Sequence, residues 1–254
     1  QRIAAAGTAT SRGPVITSFG SYTLHGATVY FWAFDAAFNR YLCKVTEPGG
    51  VVTVIAAKGD LIVDNDRFES FGGLSAHAAG LVFDGFVNRN NFARAFNDVF
   101  HYDGTTLSSL IGFGTKPVPG TTEAVFFMNK DTAPIVRNGE IVFLGEGLPF
   151  NFGSIRGLYA LPLPGRPGAL RKLVDIQDKA PGSTRTWTTV GRNPSESPLF
   201  EFDGGEMAFF ASGFGDADAG FYRFTEAGGL LTVANGDTTA PGGTEKFLEM
   251  SFAQ

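Results

Sequence analysis

Phe68-Glu69-Ser70-Phe71, then Gly80-Leu81-Val82-Phe83, Val99-Phe100-His101, Asp103-Gly104 and Leu107-Ser108-Ser109-Leu110 are short apolar runs separated by glycine turns. This order decides the fold, because it is written four times along the chain. The opening apolar-x-x-apolar step returns at Ile16/Phe19, Val125/Met128, Trp187/Val190 and Phe247/Met250, so successive steps are 52, 57, 62 and 60 residues apart. A glycine turn at Gly26, Gly80, Gly139 or Gly204 precedes each second run, which is Val29-Tyr30-Phe31, Leu81-Val82-Phe83, Ile141-Val142-Phe143 or Met207-Ala208-Phe209. The third runs are Tyr41-Leu42-Cys43, Val99-Phe100-His101, Leu158-Tyr159-Ala160 and Phe221-Tyr222-Arg223. Fourth runs follow at Val51/Val54, Leu107/Leu110, Leu170/Leu173 and Leu230/Val233, with Gly/Pro-rich exits such as Val118-Pro119-Gly120 and Ala180-Pro181-Gly182.

Four short strands per unit, punctuated by turn residues, is how one blade of a β-propeller reads. Each such sheet has two apolar faces, and tandem blades cover both without a second domain. No run has helical periodicity long enough to stand alone; the best candidate, Asn91 to Phe96, is too short. The sequence therefore predicts an all-β protein. It is a single β-propeller domain over 1–254, with complete blades at about 16–63, 68–116, 125–180 and 187–240. Partial repeats at 1–15 and 247–254 supply terminal strands of a fifth. Phe31, Phe83, Phe143 and Phe209 become equivalent blade-core residues. A β-sandwich also uses short antiparallel strands, but gives no reason for the repeat.

Composition narrows the function classes. Lys+Arg 20 against Asp+Glu 25 leaves a net charge of −5, so there is no basic field for nucleic acid or an anionic membrane surface. No apolar run reaches the roughly 18 residues of a membrane span, and no membrane insertion is expected. Gln1 in place of Met suggests a processed or trimmed chain. The 26 phenylalanines imply a packed interior. Cys43 is the one cysteine, so it makes no intrachain disulfide; it is expected as a free, non-catalytic thiol in a repeat position shared with His101, Ala160 and Arg223.

The phrase Leu230-Leu231-Thr232-Val233-Ala234-Asn235-Gly236-Asp237-Thr238-Thr239-Ala240-Pro241-Gly242-Gly243-Thr244, followed by Phe247, resembles tandem-repeat secreted bacterial proteins of the PEP-CTERM-associated type. Asp203-Gly204-Gly205-Glu206-Met207-Ala208-Phe209 and Gly220-Phe221-Tyr222-Arg223 fit the same repeat and are distantly similar to TolB and WD propellers. The resemblance implies a secreted or cell-surface propeller and says little of chemistry.

No G-x-S-x-G elbow, P-loop, H-E-x-x-H or Cys/His metal spacing is present. His25 and His77 each lie six residues after a repeat phenylalanine, which gives them equivalent structural places; His101 is expected at the surface or rim. Of the carboxylate clusters Asp64/Asp66, Asp175/Asp178, Glu201/Asp203/Glu206 and Asp216/Asp218, the last lies in Gly213 to Gly220 and is the candidate Ca2+ site through Asp216 and Asp218. No other cofactor is expected.

The variable second-to-third loops, Phe34 to Asn39, Phe86 to Asn97, Leu148 to Arg156 and Gly213 to Ala219, should emerge on one face. They carry Arg89, Asn90, Phe92, Phe150, Phe152 and Phe214, a mixture suited to recognition. The expected function is a non-catalytic extracellular binding or scaffold module that meets a protein or glycan partner there. A structural subunit of a cell-surface assembly, with a homo-oligomer or larger assembly among its partners, is the alternative. A glycoside hydrolase, needing facing carboxylates, comes third.

Overall fold

The computed structural model describes residues 4–46, 50–62, 66–89, 95–112, 115–121, 125–126, 133–147, 155–192, 200–203, 205–213, 215–239, 241–244 and 246. Among them there are strands and turns and no helix. The first sheet is β1 (Ser18–His25), β2 (Thr28–Phe34), β3 (Arg40–Thr46) and β4 (Thr53–Ala57), hydrogen-bonded in that order. The second is β5 (Arg67–His77), β6 (Gly80–Asn88), β7 (Ala95–Tyr102) and β8 (Leu107–Ile111). After the two-residue β9 (Val125–Phe126), a third sheet orders β10 (Ile135–Arg137), β11 (Glu140–Gly147), β12 (Ile155–Pro162) and β13 (Arg171–Asp175). The fourth uses β14 (Thr189–Val190), β15 (Phe200–Asp203), β16 (Glu206–Gly213), β17 (Gly215–Thr225) and β18 (Gly229–Asn235). Its order is β14-β16-β17-β18, with β15 also on β16. The strand pairs within these sheets are antiparallel, and the all-β class stands.

Residues 1–116 and 125–136 form one compact unit, and residues 117–124 and 137–254 another. In the first unit, two sheets lie face to face. Tyr30, Leu42 and Ala56 on one face of the first sheet pack on Phe68, Phe71, Leu74, Phe83 and Phe100 of the second. This explains why β6 is apolar and buried almost throughout instead of alternating: a strand covered on both faces has no solvent side. The opposite face of the first sheet, with Phe31, Cys43, Val45 and Val54, is filled in by Ile16 and Val52. In the second unit, Trp187 sits edge-on to Phe209 and Tyr222, at ring separations of 6.0 and 5.2 Å.

The four repeat phenylalanines are buried on second strands, as the repeat requires. Each faces one residue across the following strand pair: Phe31 faces Cys43, Phe83 faces Phe100, Phe143 faces Tyr159 and Phe209 faces Tyr222. This register corrects the sequence alignment of Cys43. Its equivalents are Phe100, Tyr159 and Tyr222, not His101, Ala160 and Arg223, and a slip of one residue exchanges the two faces of a strand. Cys43 is accordingly core; its thiol is free, buried, and pushed up to about 12 by burial.

The exits repeat as closely as the strands. The backbone N–H of Ala57, Gly112, Asp175 and Asn235 donates to a side-chain oxygen three residues on, from Asp60, Thr115, Asp178 and Thr238, at 2.9 Å in each case. Ala5 and Thr8 make the same turn at 3.1 Å. Asp and Thr serve here because their short oxygens reach back to the chain's own amide. Asp175 and Asp178 are thereby a turn, with Lys172 bonded to Asp178 at 2.8 Å.

His25 and His77 close β1 and β5 at matching places beside their turns. His101 is a correction: it is buried, not at the rim, with its ring stacked on that of His77 at 5.3 Å. His77 Nδ1 accepts the Ala79 N–H, and the Nε2 atoms of both rings are buried without a partner. Burial, then the neighbouring His101 and His25, lowers the His77 pKa to about 4; burial also lowers that of His101, while the Ala79 backbone and Asp103 oppose it.

Two outcomes follow from this packing. Phe83→Ala should cost about 3–5 kcal/mol in urea unfolding, the penalty of an aromatic cavity among rings that cannot collapse into it. Unfolded His77 protonates near its ordinary value of about 6.5 and the folded one only near 4, so stability present at neutral pH should fall as pH drops through that window. His77→Phe should shrink the loss measured between pH 7 and pH 5; an unchanged loss would show that the histidine pair does not contribute.

Candidate functional site

The site begins with a defect repeated in two strands. Ser18-Phe19-Gly20-Ser21-Tyr22 on β1 and Ser70-Phe71-Gly72-Gly73-Leu74 on β5 are matching segments. In each, two residues stand opposite one: Gly20 and Ser21 face Trp32, and Gly72 and Gly73 face Asp84. These are β-bulges, which turn side chains out of the regular pleat. Glycine is needed for space. A Cβ on Gly20 would lie 2.0 Å from the Trp32 ring, and one on Gly72 would lie 2.2 Å from the Asp84 carboxylate.

Between the two sheets the bulges leave a cleft of about 360 Å³. It is lined by Ser21, Trp32 and Arg40 of the first sheet and by Ser70, Phe71, Gly72, Gly73, Asp84, Phe86 and Asn97 of the second. Asp84 is 1% exposed; its carboxylate accepts the Gly73 N–H and, at a long 3.5 Å, the Asn97 amide. Asn97 is 2% exposed, and its Oδ1 has no partner. Trp32 Nε1 is also buried without an acceptor. The Arg40 guanidinium lies over the Trp32 and Phe34 rings, 5.3 and 5.2 Å from their centroids. The cleft thus joins a carboxylate, an amide, two hydroxyls and a guanidinium to aromatic surface. Such a mixture orients a small molecule by hydrogen bonds while the rings supply area.

Of the residues expected at a recognition face, Asn90, Phe92, Phe150, Phe152 and Phe214 lie outside the described residues. Arg89 is described: its guanidinium bonds Asp66 at 2.6 Å and Asp98 at 2.5 Å, so it clamps the end of β6 to its neighbours. Asp216 is placed by its backbone in β17, its side chain being outside the described set, and the Asp218 carbonyl accepts the Tyr222 hydroxyl at 2.8 Å. Among the described residues no group of three His, Cys, Asp or Glu side chains is placed to hold a metal ion. Phe86 and Asn97 bound one expected variable segment but lie on β6 and β7, and the other lining residues lie on β1, β2, β3, β5 and β6, where a reading of the loops expects no site. A signal existed: the glycine that follows the second apolar residue of the opening step, at Gly20, Gly72 and Gly191, and the single acid, Asp84, where the other copies have Trp32, Leu144 and Phe210.

Over residues 26–254 the chain matches a family of unknown function, DUF7453, and it belongs to that family. No curated protein matches it. Among the solved structures that resemble it are two at 15% identity and a TM-score of 0.46. One is a crystal structure of puromycin hydrolase, with 86% of this chain and 32% of that one covered; the other is its S511A mutant complexed with PGG, with 90% and 33% covered. The chain thus spans about a third of the length of those proteins. These findings correct the expectation of a non-catalytic binding or scaffold module: the family has no established function, and the two solved structures named are of a hydrolase. No activity is transferred from them.

The bulge itself is open to test. Gly72→Ala should cost about 1–3 kcal/mol, since the new methyl drives Asp84 off the Gly73 N–H and strands both groups. In the Asp84→Ser background the same change should cost clearly less; equal penalties in both backgrounds, read from chemical unfolding, would separate the glycine from the acid.

Proposed function

We propose that this DUF7453 protein binds a small polar molecule, as ligand or as substrate, in the cleft between its first two sheets. One observation carries this: a 360 Å³ cleft exists where both bulges have exchanged side chains for glycine and serine, and its wall holds the buried Asp84 and the unpartnered Asn97 oxygen. A buried polar atom without a partner costs stability, and a ligand that supplies the partner recovers it.

The same proposal takes the four sheets as blades of a β-propeller. The matched Phe pairings, the matched bulges and the five matched exit turns support it, since each unit has the same inner construction. Kinship with secreted tandem-repeat bacterial propellers rests on the phrase from Leu230 to Thr244.

A screen of polar metabolites by thermal shift and calorimetry, with the compounds recovered and checked for chemical change, tests the binding reading. Ser21 is exposed at the cleft wall, so Ser21→Trp should fill the cleft without disturbing the core and abolish binding of any hit at unchanged melting temperature. Hits that bind the variant undiminished would place the site elsewhere.

A further inference from the structure

Arg40 stands apart from the other described arginines of its unit. Arg12 pairs with Asp60 at 2.6 Å, Arg67 donates to the Gly59 carbonyl at 2.7 Å, and Arg89 is held by Asp66 and Asp98. Among the described residues the Arg40 guanidinium makes no hydrogen bond or ion pair; only the Trp32 and Phe34 rings hold it. The repeat shows what is missing. Arg40 faces Phe34 across β2 and β3, and the same place in the third sheet is Arg156 facing Glu146. There the pair is an ion pair at 3.1 Å. In the first sheet a phenyl ring replaces the carboxylate, so the cation is propped in place without that cross-strand partner.

We infer that Arg40 is the anchor for a carboxylate on the molecule that the cleft takes, and that this molecule is a small hydroxy acid; the inference rests on the cleft being a binding site. A planar guanidinium already fixed against aromatic faces offers paired N–H donors that match a carboxylate. Asp84 and Asn97 line the same cleft and present acceptor oxygens, which suit hydroxyl donors on the rest of the ligand. The buried Asp84 carboxylate also sets a limit on charge: a ligand with one carboxylate meets Arg40 and leaves Asp84 facing neutral hydroxyls, whereas a doubly charged phosphate brings a surplus negative charge to the same small cleft. The volume, near the lower end for ligand sites, fits a molecule of that size.

Calorimetry with lactate, glycerate and gluconate, each beside its amide lactamide, glyceramide and gluconamide, and with glycerol 3-phosphate as the phosphate arm, decides the matter. The expected result is that a hydroxy acid binds, its amide binds about tenfold or more weakly, and Arg40→Met lowers acid affinity by a similar factor without affecting the amide. A second variant guards against a folding artefact. Phe34→Glu installs the carboxylate that Glu146 provides in the third sheet and should abolish acid binding while Arg40 remains. Amides that bind as well as acids, or acids that bind Arg40→Met unchanged, overturn the anion anchor and leave the cleft reading standing. Tighter binding of glycerol 3-phosphate than of any acid overturns the choice of carboxylate. If none of the probes binds and the metabolite screen also yields no hit that Ser21→Trp removes, both the anchor and the cleft reading fail.

Discussion

Everything in the first unit depends on the closure of one sheet face on the next by aromatic rings. Phe83 stacks on Phe100 at 5.4 Å, Phe68 reaches Phe100 at 4.9 Å and Phe71 at 5.1 Å, and Tyr30 and Leu42 of the neighbouring sheet complete the cluster. Rings of this size bury more apolar area per residue than aliphatic side chains and prefer the tilted and offset contacts seen here. Their closure fixes the separation of the sheets. The polar groups toward the strand ends are then held at positions they do not themselves choose.

Those polar groups follow the sheets. Lys44 on the first sheet reaches the Gly104 carbonyl on the second at 2.9 Å and lies over the Tyr102 ring. Thr23 on β1 accepts the Ala76 N–H of β5 at 3.4 Å, and Ser75, its counterpart on β5, accepts the Val136 N–H at 3.1 Å. In these two cases the hydroxyl at one place in the repeat bonds a strand that follows it. The cleft is where this neighbourly packing is interrupted, because a bulge on each sheet turns its strand just where a side chain would otherwise fill the gap.

Departures from the repeat gather at the cleft. Copies that agree at the aromatic core differ at the position after each repeat phenylalanine, which is Trp32, Asp84, Leu144 or Phe210, and at the cross-strand position of Arg40, Asn97 and Arg156. A position constrained only by packing would stay apolar in every copy. A buried acid at 84 is a costly departure, and it borders the same cleft as Arg40, which faces Phe34 where the third sheet has Glu146.

The sequence alone determined the all-β class, most of the strands and the burial of Phe31, Phe83, Phe143 and Phe209, since apolar spacing and glycine turns act within a few residues; it did not find β10 and β15, and the third and fourth sheets have five strands each where it expected four. It also placed His25 and His77 at matching turns. It misplaced Cys43 by one residue, because Leu42 and Cys43 are both apolar and only the pairing of Phe31 with Cys43 settles which of them shares its face. It misjudged His101, whose burial comes from a second sheet and a second histidine ring. The cleft was beyond its reach for a related reason. Trp32 and Asp84 are separated by some fifty residues of chain, and no local pattern says that two bulges will face one another; the packing of one sheet on the next decides that.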